Sequence, residues 1–169
     1  MDFSRIPPRA NDGHVHVVVE IPMGGRNKYE YNPELGVLAL DRTLYSAMHY
    51  PTDYGFVPGT RGPDGDPIDA MVMVDQPTFP GCVIRVRLLG VITIEHTDGK
   101  LEPKLLAVPV AEPRFAGYHT IQDLPPHLLK EIEHFFAVFK DLEGSDIKSR
   151  GWEGPERAHA VLDGCLIGQ

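Results

Sequence analysis

Strand-like segments occupy the first two thirds of this chain, and helical spacing of apolar residues begins only near residue 123. Segments that alternate apolar and polar residues, or that are continuously apolar, are predicted to be strands: 14–21, 28–31, 37–42, 70–74, 82–96 and 105–110. Helices are predicted over 123–143 and from Pro155 onward. Strands first and helices last predict an α+β domain that is mainly β, with two helices packed outside a small, strongly bent barrel.

The length of 169 residues predicts a single domain over 1–169, and 42% hydrophobic with 24% charged residues is an ordinary globular composition. No apolar run approaches the length of a membrane span, and the N-terminus lacks the basic and apolar regions of a signal peptide. Cys82 and Cys165 lack metal-ligand spacing. A reducing cytoplasm is the predicted location.

The formal net charge of −8 argues against a protein that binds nucleic acid or an anionic membrane. It does not exclude a phosphate substrate, because bound metal ions reverse the local sign of an acidic site.

The stretch from Asp64 to Asp69, with the sequence DGDPID, places three carboxylates within six residues and leads directly into the apolar segment 70–74. Asp-Gly is a turn signal, and Pro67 stiffens the exit from that turn. Carboxylates this close raise one another's pKa unless a cation compensates them, and Mg²⁺ is a suitable compensator. Taken alone, the stretch slightly favours an ordinary solvated turn, and it lacks the glycine and glutamate of an EF-hand loop.

The other candidate residues are each explained, singly, by solvation or packing. They are Lys28 with Glu30, Arg42, Tyr54, Lys104 and Lys140. The chain has no HExxH, GxSxG or P-loop motif and no cysteine with a catalytic signature, so covalent catalysis has no candidate nucleophile. Dispersed acids and bases are instead typical of metal-assisted phosphoryl transfer, in which water is the nucleophile.

The order of several motifs resembles the soluble family I inorganic pyrophosphatases over nearly the whole chain. These motifs are Glu20–Gly24, Lys28–Glu30, Asp41–Arg42, Tyr50–Phe56, Asp64–Asp69, Lys104–Pro109, Asp123–Pro125, His134–Phe136, Lys140–Glu143 and Gly151–Trp152. The resemblance implies a five-stranded OB-like barrel and Mg²⁺-dependent hydrolysis of pyrophosphate to two phosphates, with Mn²⁺ or Zn²⁺ as alternative ions. For short bacterial members it also implies a cytoplasmic homohexamer.

The resemblance assigns a role to each candidate residue. Asp66 is expected to be the general base that deprotonates the attacking water. The expected metal ligands are Asp64, Asp69, Asp98 and Glu102, and Glu20 and Glu30 are expected to contact metal-bound water. The expected phosphate-binding residues are Lys28, Arg42, Tyr54, Lys104 and Lys140.

The chain departs from the family pattern at three places. The family usually has an Asp-Glu pair in the loop before the lysine and a second Asp two residues ahead of it, whereas the loop from Thr97 to Pro103 offers Asp98 and Glu102. Phe139 stands where the family has a phosphate-binding tyrosine, and Asp53 stands where asparagine is usual.

These departures leave a second hypothesis open, a paralogue that binds a phosphate ligand with weak or no turnover. A nucleic-acid-binding OB module is a third hypothesis that rests on fold analogy alone, and the acidic balance counts against it.

Overall fold

The computed structural model describes residues 1–168, which form eight β-strands and two α-helices. The strands are β1 (Val15–Ile21), β2 (Asn27–Asn32), β3 (Val37–Thr43), β4 (Asp53–Phe56), β5 (Asp69–Val72), β6 (Val83–His96), β7 (Leu101–Pro109) and β8 (Ile147–Glu153). The helices are α1 (Pro126–Val138) and α2 (Pro155–Gly164).

Five of the strands close into a ring. Neighbours pair in the order β1-β4-β5-β7-β6, and β6 pairs back to β1. Strand β8 pairs with residues 91–96 of β6, beyond the stretch 83–86 that pairs with β1, while β2 and β3 form a separate hairpin. This mainly β architecture with two helices confirms the predicted OB-like barrel.

Strands β5 and β7 form the one parallel pairing of the sheet that residues 1–168 make. In its register Asp69 is opposite Lys104, and Ala70 is opposite Leu105. Because paired residues point to the same face of a sheet, Asp69 and Lys104 become neighbours although they are far apart in the sequence.

Alternate residues of the strands enter two different hydrophobic clusters. On β5, Ala70 and Val72 pack in the cluster that contains Ala158 and Leu162 of α2. Met71 instead packs in the cluster that contains the phenylalanines of α1. The sheet therefore has an α1-covered face and an α2-covered face, and period-2 alternation places Asp69 on the α1-covered one.

Helix α1 is shorter than the predicted 123–143 segment. Its first residue is Pro126, and both 121–123 and 141–143 form short 3₁₀ turns instead of extending the helix. Proline is suited to the first turn of a helix, where its missing N–H leaves no bond unmade.

Two strands lie where the sequence pattern did not predict them. Strand β4 lies in an aromatic stretch expected to be irregular, and its Gly55 approaches β1 so closely that a Cβ atom there would lie 1.9 Å from the carbonyl oxygen of Val18. Strand β8 escapes prediction because three consecutive residues, 148–150, are exposed and hide any alternation.

No helix within residues 1–168 combines the length and the apolar character that crossing a membrane requires.

Candidate active site

The loop from Val57 to Ile68 carries Asp64 and Asp66 and is closed at its base by hydrogen bonds. The N–H of Val57 donates to the Ile68 carbonyl at 2.9 Å. The buried hydroxyl of Thr60 donates to the Val57 carbonyl at 2.6 Å and accepts from the Ile68 N–H at 3.0 Å. The loop is therefore fixed at both ends to the strands β4 and β5.

The tip of this loop presents its two carboxylates to solvent. Oδ1 of Asp64 accepts a hydrogen bond from the Asp66 N–H at 3.1 Å, and the intervening Gly65 has a φ of 97°, which favours glycine. Partial burial, followed by the negative charges of Asp64 and Glu30, raises the pKa of Asp66. Asp66 therefore binds a proton more strongly than an isolated aspartate does.

Lys104 is the centre of a buried charge cluster on the α1-covered face. Its Nζ atom lies 2.6 Å from Oδ2 of Asp69, 2.6 Å from Oε1 of Glu102 and 2.9 Å from the Tyr54 hydroxyl. The Tyr54 hydroxyl also donates to Oδ2 of Asp69. The Lys104 ammonium packs 5.4 Å from the centre of the Phe136 ring, so α1 covers the cluster. Lys104 thus joins three other predicted site residues into one cluster.

The protonation of this cluster follows from burial and charge. Burial raises the pKa of Asp69, despite the opposing effect of Lys104. Burial also opposes ionisation of Glu102, but the charge of Lys104 and several hydrogen bonds outweigh it and lower the pKa of that carboxyl. The two carboxyls therefore share one ammonium.

Glu20, on β1, is the most deeply buried of the predicted acids, with 9% of its surface exposed. Its Oε1 accepts the N–H of Tyr31 at 2.7 Å. Burial, with a contribution from the charge of Asp69, raises the pKa of Glu20 to about 8. A buried carboxyl beside another acid favours the neutral form unless a cation is nearby.

The β2–β3 hairpin holds Lys28 and Arg42 next to acids. Lys28 pairs with Glu30 and lies 3.3 Å from Oδ2 of Asp41. Arg42 donates to Asp41 at 2.5 Å and pairs with Glu143 at 3.0 Å. The last contact joins the hairpin to the turn that follows α1.

Lys140 follows α1 and differs from the other candidate cations. Among residues 1–168 it has no carboxylate partner within ion-pair distance, and its Nζ lies 5.4 Å from the centre of the Phe139 ring. Burial, and then the charge of Arg42, lower the pKa of Lys140. This cation is available to an anionic ligand.

The structure does not bring Asp98 to the cluster. Asp98 lies at the exposed turn between β6 and β7, where its Oδ1 accepts the Lys100 N–H at 3.1 Å and its Oδ2 pairs with the Lys100 ammonium at 3.1 Å. These hydrogen bonds lower the pKa of Asp98. Its predicted role as a metal ligand stays a prediction.

Asp53, the third departure from the family pattern, is fully buried and is bonded to three donors. Oδ1 accepts the Met23 N–H at 2.7 Å. Oδ2 accepts the Thr78 hydroxyl at 2.6 Å and the Thr78 N–H at 3.2 Å. Asp53 therefore fixes two loops instead of adding a free negative charge beside Tyr54.

The donor atoms of the site suit a hard metal ion. Within residues 1–168 no three acidic, histidine or cysteine side chains converge as a ready set of metal ligands, and Lys104 contacts two of the candidate ligands, Asp69 and Glu102. All candidate donors are nevertheless carboxylate oxygens, which Mg²⁺ prefers. A shallow depression is lined in part by Asp64, Asp69 and Glu102. A larger groove of about 380 Å³, beside His16 and Arg85, contains none of the predicted site residues.

Three polar residues of the site were missed as candidates by sequence reasoning. His96 contacts Glu102 at 2.5 Å, Asp41 contacts both hairpin cations, and Glu143 contacts Arg42. Asp41 and Glu143 lie in the family motifs Asp41–Arg42 and Lys140–Glu143, so their carboxylates could have been predicted to belong to the site. Nothing in the sequence marked the contact of His96.

The closed barrel and its interleaved carboxylates and cations are typical of an enzyme that hydrolyses phosphate compounds with the help of metal ions. A family model described as inorganic pyrophosphatase matches residues 17–167. The inorganic pyrophosphatase of Geobacillus stearothermophilus is 47% identical over 152 residues, covering 90% of this chain and 92% of that protein. The one of Methanosarcina mazei is 49% identical over 146 residues, covering 86% of each chain.

Solved structures agree with the sequence relatives. The crystal structure of inorganic pyrophosphatase from Thermus thermophilus superposes with a TM-score of 0.92, at 36% identity, covering 98% of this chain and 97% of that chain. The Helicobacter pylori inorganic pyrophosphatase superposes with a TM-score of 0.90, at 39% identity and 96% coverage of both chains. The chain belongs to the inorganic pyrophosphatase family.

Proposed function

We propose that this protein is an inorganic diphosphatase that hydrolyses pyrophosphate to two phosphates at the acid cluster described above. Family membership over most of the chain gives the reaction. The observation that carries the assignment of the site is the contact of Lys104 with both Asp69 and Glu102, because it places a phosphate-binding cation between two candidate metal ligands.

Mg²⁺ is the proposed cofactor, with Mn²⁺ or Zn²⁺ as alternatives. Its proposed ligands are Asp64, Asp69, Asp98 and Glu102, and Glu20 and Glu30 are proposed to contact its water molecules. When bound, the metal neutralises substrate charge and lowers the pKa of coordinated water. The raised pKa values of Glu20 and Asp69 support a cation at this place, since a positive charge stabilises buried carboxylates in their ionised form.

Five residues are proposed to bind the phosphate oxygens of the substrate: Lys28, Arg42, Tyr54, Lys104 and Lys140. Four of them are engaged by carboxylates in the protein without ligands, and Lys140 is not. Substrate and metal arriving together would exchange these internal contacts for phosphate–cation and carboxylate–metal contacts. We therefore expect pyrophosphate to bind tightly only in the presence of metal.

Asp66 is proposed to be the general base. Its carboxylate is exposed at the loop tip, so it can reach a water molecule beside the substrate. Its raised pKa makes it a better proton acceptor, and a well-placed base contributes about 10²–10⁴-fold to the rate.

The remaining expectations from the resemblance are proposals of the same kind. We propose that the chain is one domain, that it acts in the cytoplasm and that it assembles as a homohexamer. Multi-angle light scattering on the purified protein tests the hexamer directly. A monomer or dimer at micromolar concentration would contradict it.

The central experiment measures phosphate release from pyrophosphate with Mg²⁺ for the wild type, Asp66→Asn and Asp75→Asn. Asp75 is a matched control, because it is a surface aspartate whose partners are the exposed Arg114, at 2.7 Å, and the side-chain amide of Gln76, at 3.5 Å. We expect fast release by the wild type and the control, and a loss of about 10²–10⁴-fold for Asp66→Asn.

Each other outcome has a definite meaning. No release by folded wild-type protein would refute the proposed reaction, and metal-dependent binding without hydrolysis would favour a phosphate-binding paralogue. Full activity of Asp66→Asn would refute the assignment of the base alone.

A further inference from the structure

We propose that His96 is a positioning residue, which holds the carboxylate of Glu102 in the orientation that a metal ligand needs. The inference rests on the proposed function, since it assumes that Glu102 binds metal. His96 is the last residue of β6 and Glu102 is the second residue of β7, so the hairpin turn between them brings the side chains together. The Nε2 atom of His96 lies 2.5 Å from Oε2 of Glu102.

The two oxygens of Glu102 have separate partners. Oε2 contacts His96, whereas Oε1 lies 2.6 Å from the ammonium of Lys104, which also contacts Asp69. Because Lys104 is shared with Asp69, its bond to Oε1 is the one that a metal ion would replace. The bond to His96 remains, and it keeps Oε1 directed toward Asp69.

Glu102 needs such a restraint for a general reason. A glutamate side chain has three rotatable torsions, and fixing them costs conformational entropy. A hydrogen bond from His96 restricts these torsions before metal binds. Partners that orient a metal ligand in this way typically contribute about 10–100-fold to metal affinity.

The environment of His96 fits the positioning of Glu102 and not direct binding of the metal. The side chain of His96 is 27% exposed and that of Glu102 is 22% exposed, so the contact is partly shielded from solvent. Among the described residues, the ring of His96 contacts one proposed metal ligand, Glu102, and no other. His96 therefore acts on the metal through Glu102.

Isothermal titration calorimetry of Mg²⁺ into the complete, metal-free protein tests the proposal. It measures the Mg²⁺ dissociation constant independently of activity. His96→Leu removes the donor, and His96→Gln keeps an N–H that can reach Oε2. His127→Leu is the matched control, because His127 forms a similar histidine–glutamate pair with Glu131 at 3.2 Å on the exposed side of α1. Circular dichroism without metal verifies that each variant is folded.

We expect His96→Leu to raise the Mg²⁺ dissociation constant about 10–100-fold. His96→Gln should recover most of this loss, and His127→Leu should bind like the wild type. Wild-type affinity in His96→Leu would overturn the proposal. Equal weakening in His96→Leu and His96→Gln would also overturn it, because the imidazole itself would then be what the site requires.

Glu102→Gln separates this proposal from the proposed function. If Glu102→Gln binds Mg²⁺ like the wild type, the assignment of Glu102 as a ligand is wrong and the role of His96 is refuted with it. If Glu102→Gln binds weakly while His96→Leu binds normally, only the role of His96 is refuted.

Discussion

The ammonium of Lys104 lies 2.6 Å from Oδ2 of Asp69, and the two residues are opposite each other in the parallel register of β5 and β7. The same Asp69 oxygen also accepts the hydroxyl of Tyr54. A proposed metal ligand and two proposed phosphate-binding groups therefore share one oxygen atom. We therefore expect a substitution that alters the hydrogen bonds of this oxygen to affect metal binding and substrate binding together.

Replacing Lys104 by methionine should destabilise the metal-free protein. The substitution keeps most of the apolar stem but leaves Asp69 and Glu102 side by side without their cation. Loss of one partner of a buried pair costs about 3–5 kcal/mol, and the partial exposure of both carboxylates argues for the lower end of that range. Urea unfolding without metal measures the change, and added Mg²⁺ should stabilise the variant more than the wild type.

Lys100→Met is the control for this prediction. Lys100 pairs with Asp98 at 3.1 Å, but both side chains are more than half exposed. An exposed pair contributes about 0–1 kcal/mol, so the control should unfold nearly like the wild type. Equal stability of the two variants would show that the Lys104 pairs contribute no more than surface pairs do.

Glu20→Gln should change how the stability of the metal-free protein depends on pH. The pKa of Glu20 is about 8 in the folded protein, against an ordinary value of 4.5. Between these values the folded state binds more protons than the unfolded state, so the contribution of Glu20 is complete below about pH 4.5 and is lost as pH rises through about 8. The contribution of Glu20 to the free energy of unfolding falls by at most about 1.4 kcal/mol per pH unit.

The measurement is the difference in unfolding free energy between wild type and Glu20→Gln across this pH range. The variant can still accept the Tyr31 N–H, so the same fold is retained. Acids that lie away from Glu20 titrate alike in both proteins and cancel, whereas Asp69 and Glu30 are coupled to Glu20 and their change is part of the measured difference. A constant difference from pH 5 to pH 8 would mean that Glu20 remains ionised in the folded state.

Thr60→Val should loosen the loop that carries Asp64 and Asp66. The change keeps the shape of the side chain but removes the hydroxyl that joins Val57 to Ile68, leaving the buried N–H of Ile68 without its acceptor. A buried N–H without an acceptor lowers the free energy of unfolding by about 1–3 kcal/mol. Thermal unfolding should show this loss, with a reduced kcat. Thr60→Ser, which keeps the hydroxyl, should recover both properties, and equal effects of the two substitutions would assign the change to lost packing.

Phe139→Tyr should strengthen substrate binding. The Phe139 ring stacks on Phe135 with centroids 5.0 Å apart and lies beside the Lys140 ammonium, which is the free cation of the described site. A hydroxyl added there offers one neutral hydrogen bond, worth about 0.5–1.5 kcal/mol, and KM should fall about two- to tenfold. Phe79→Tyr, at an exposed ring, is the control. An unchanged KM would mean that the ring position does not reach the substrate.

The order of strands and helices, together with the family resemblance, predicted the barrel, and local turn chemistry predicted the acid loop. Period-2 alternation predicted β1, and the Asp-Gly turn predicted the loop before β5. Strand β4 could not be predicted in this way, since its place depends on how closely the backbone at Gly55 approaches Val18 of another strand.

Contacts between distant segments were beyond local patterns. The pairing of Arg42 with Glu143 joins residues that are 101 positions apart, and no periodicity encodes it. The contact of Lys104 with Asp69 follows from the register of two parallel strands, which a sequence pattern leaves open. Even the short-range contact of His96 with Glu102 depends on where the turn between β6 and β7 falls, and therefore escaped prediction.

The parallel pairing of β5 with β7 also has a consequence for refolding experiments. Asp69 and Lys104 are 35 residues apart, and parallel strands can pair only after the long connection between them has closed into a loop. Early collapse and hairpin formation therefore do not assemble this part of the proposed catalytic centre. The return of enzyme activity during refolding would therefore report the pairing of β5 with β7. Spectroscopic signals of compaction or of total strand content do not distinguish this step from the others.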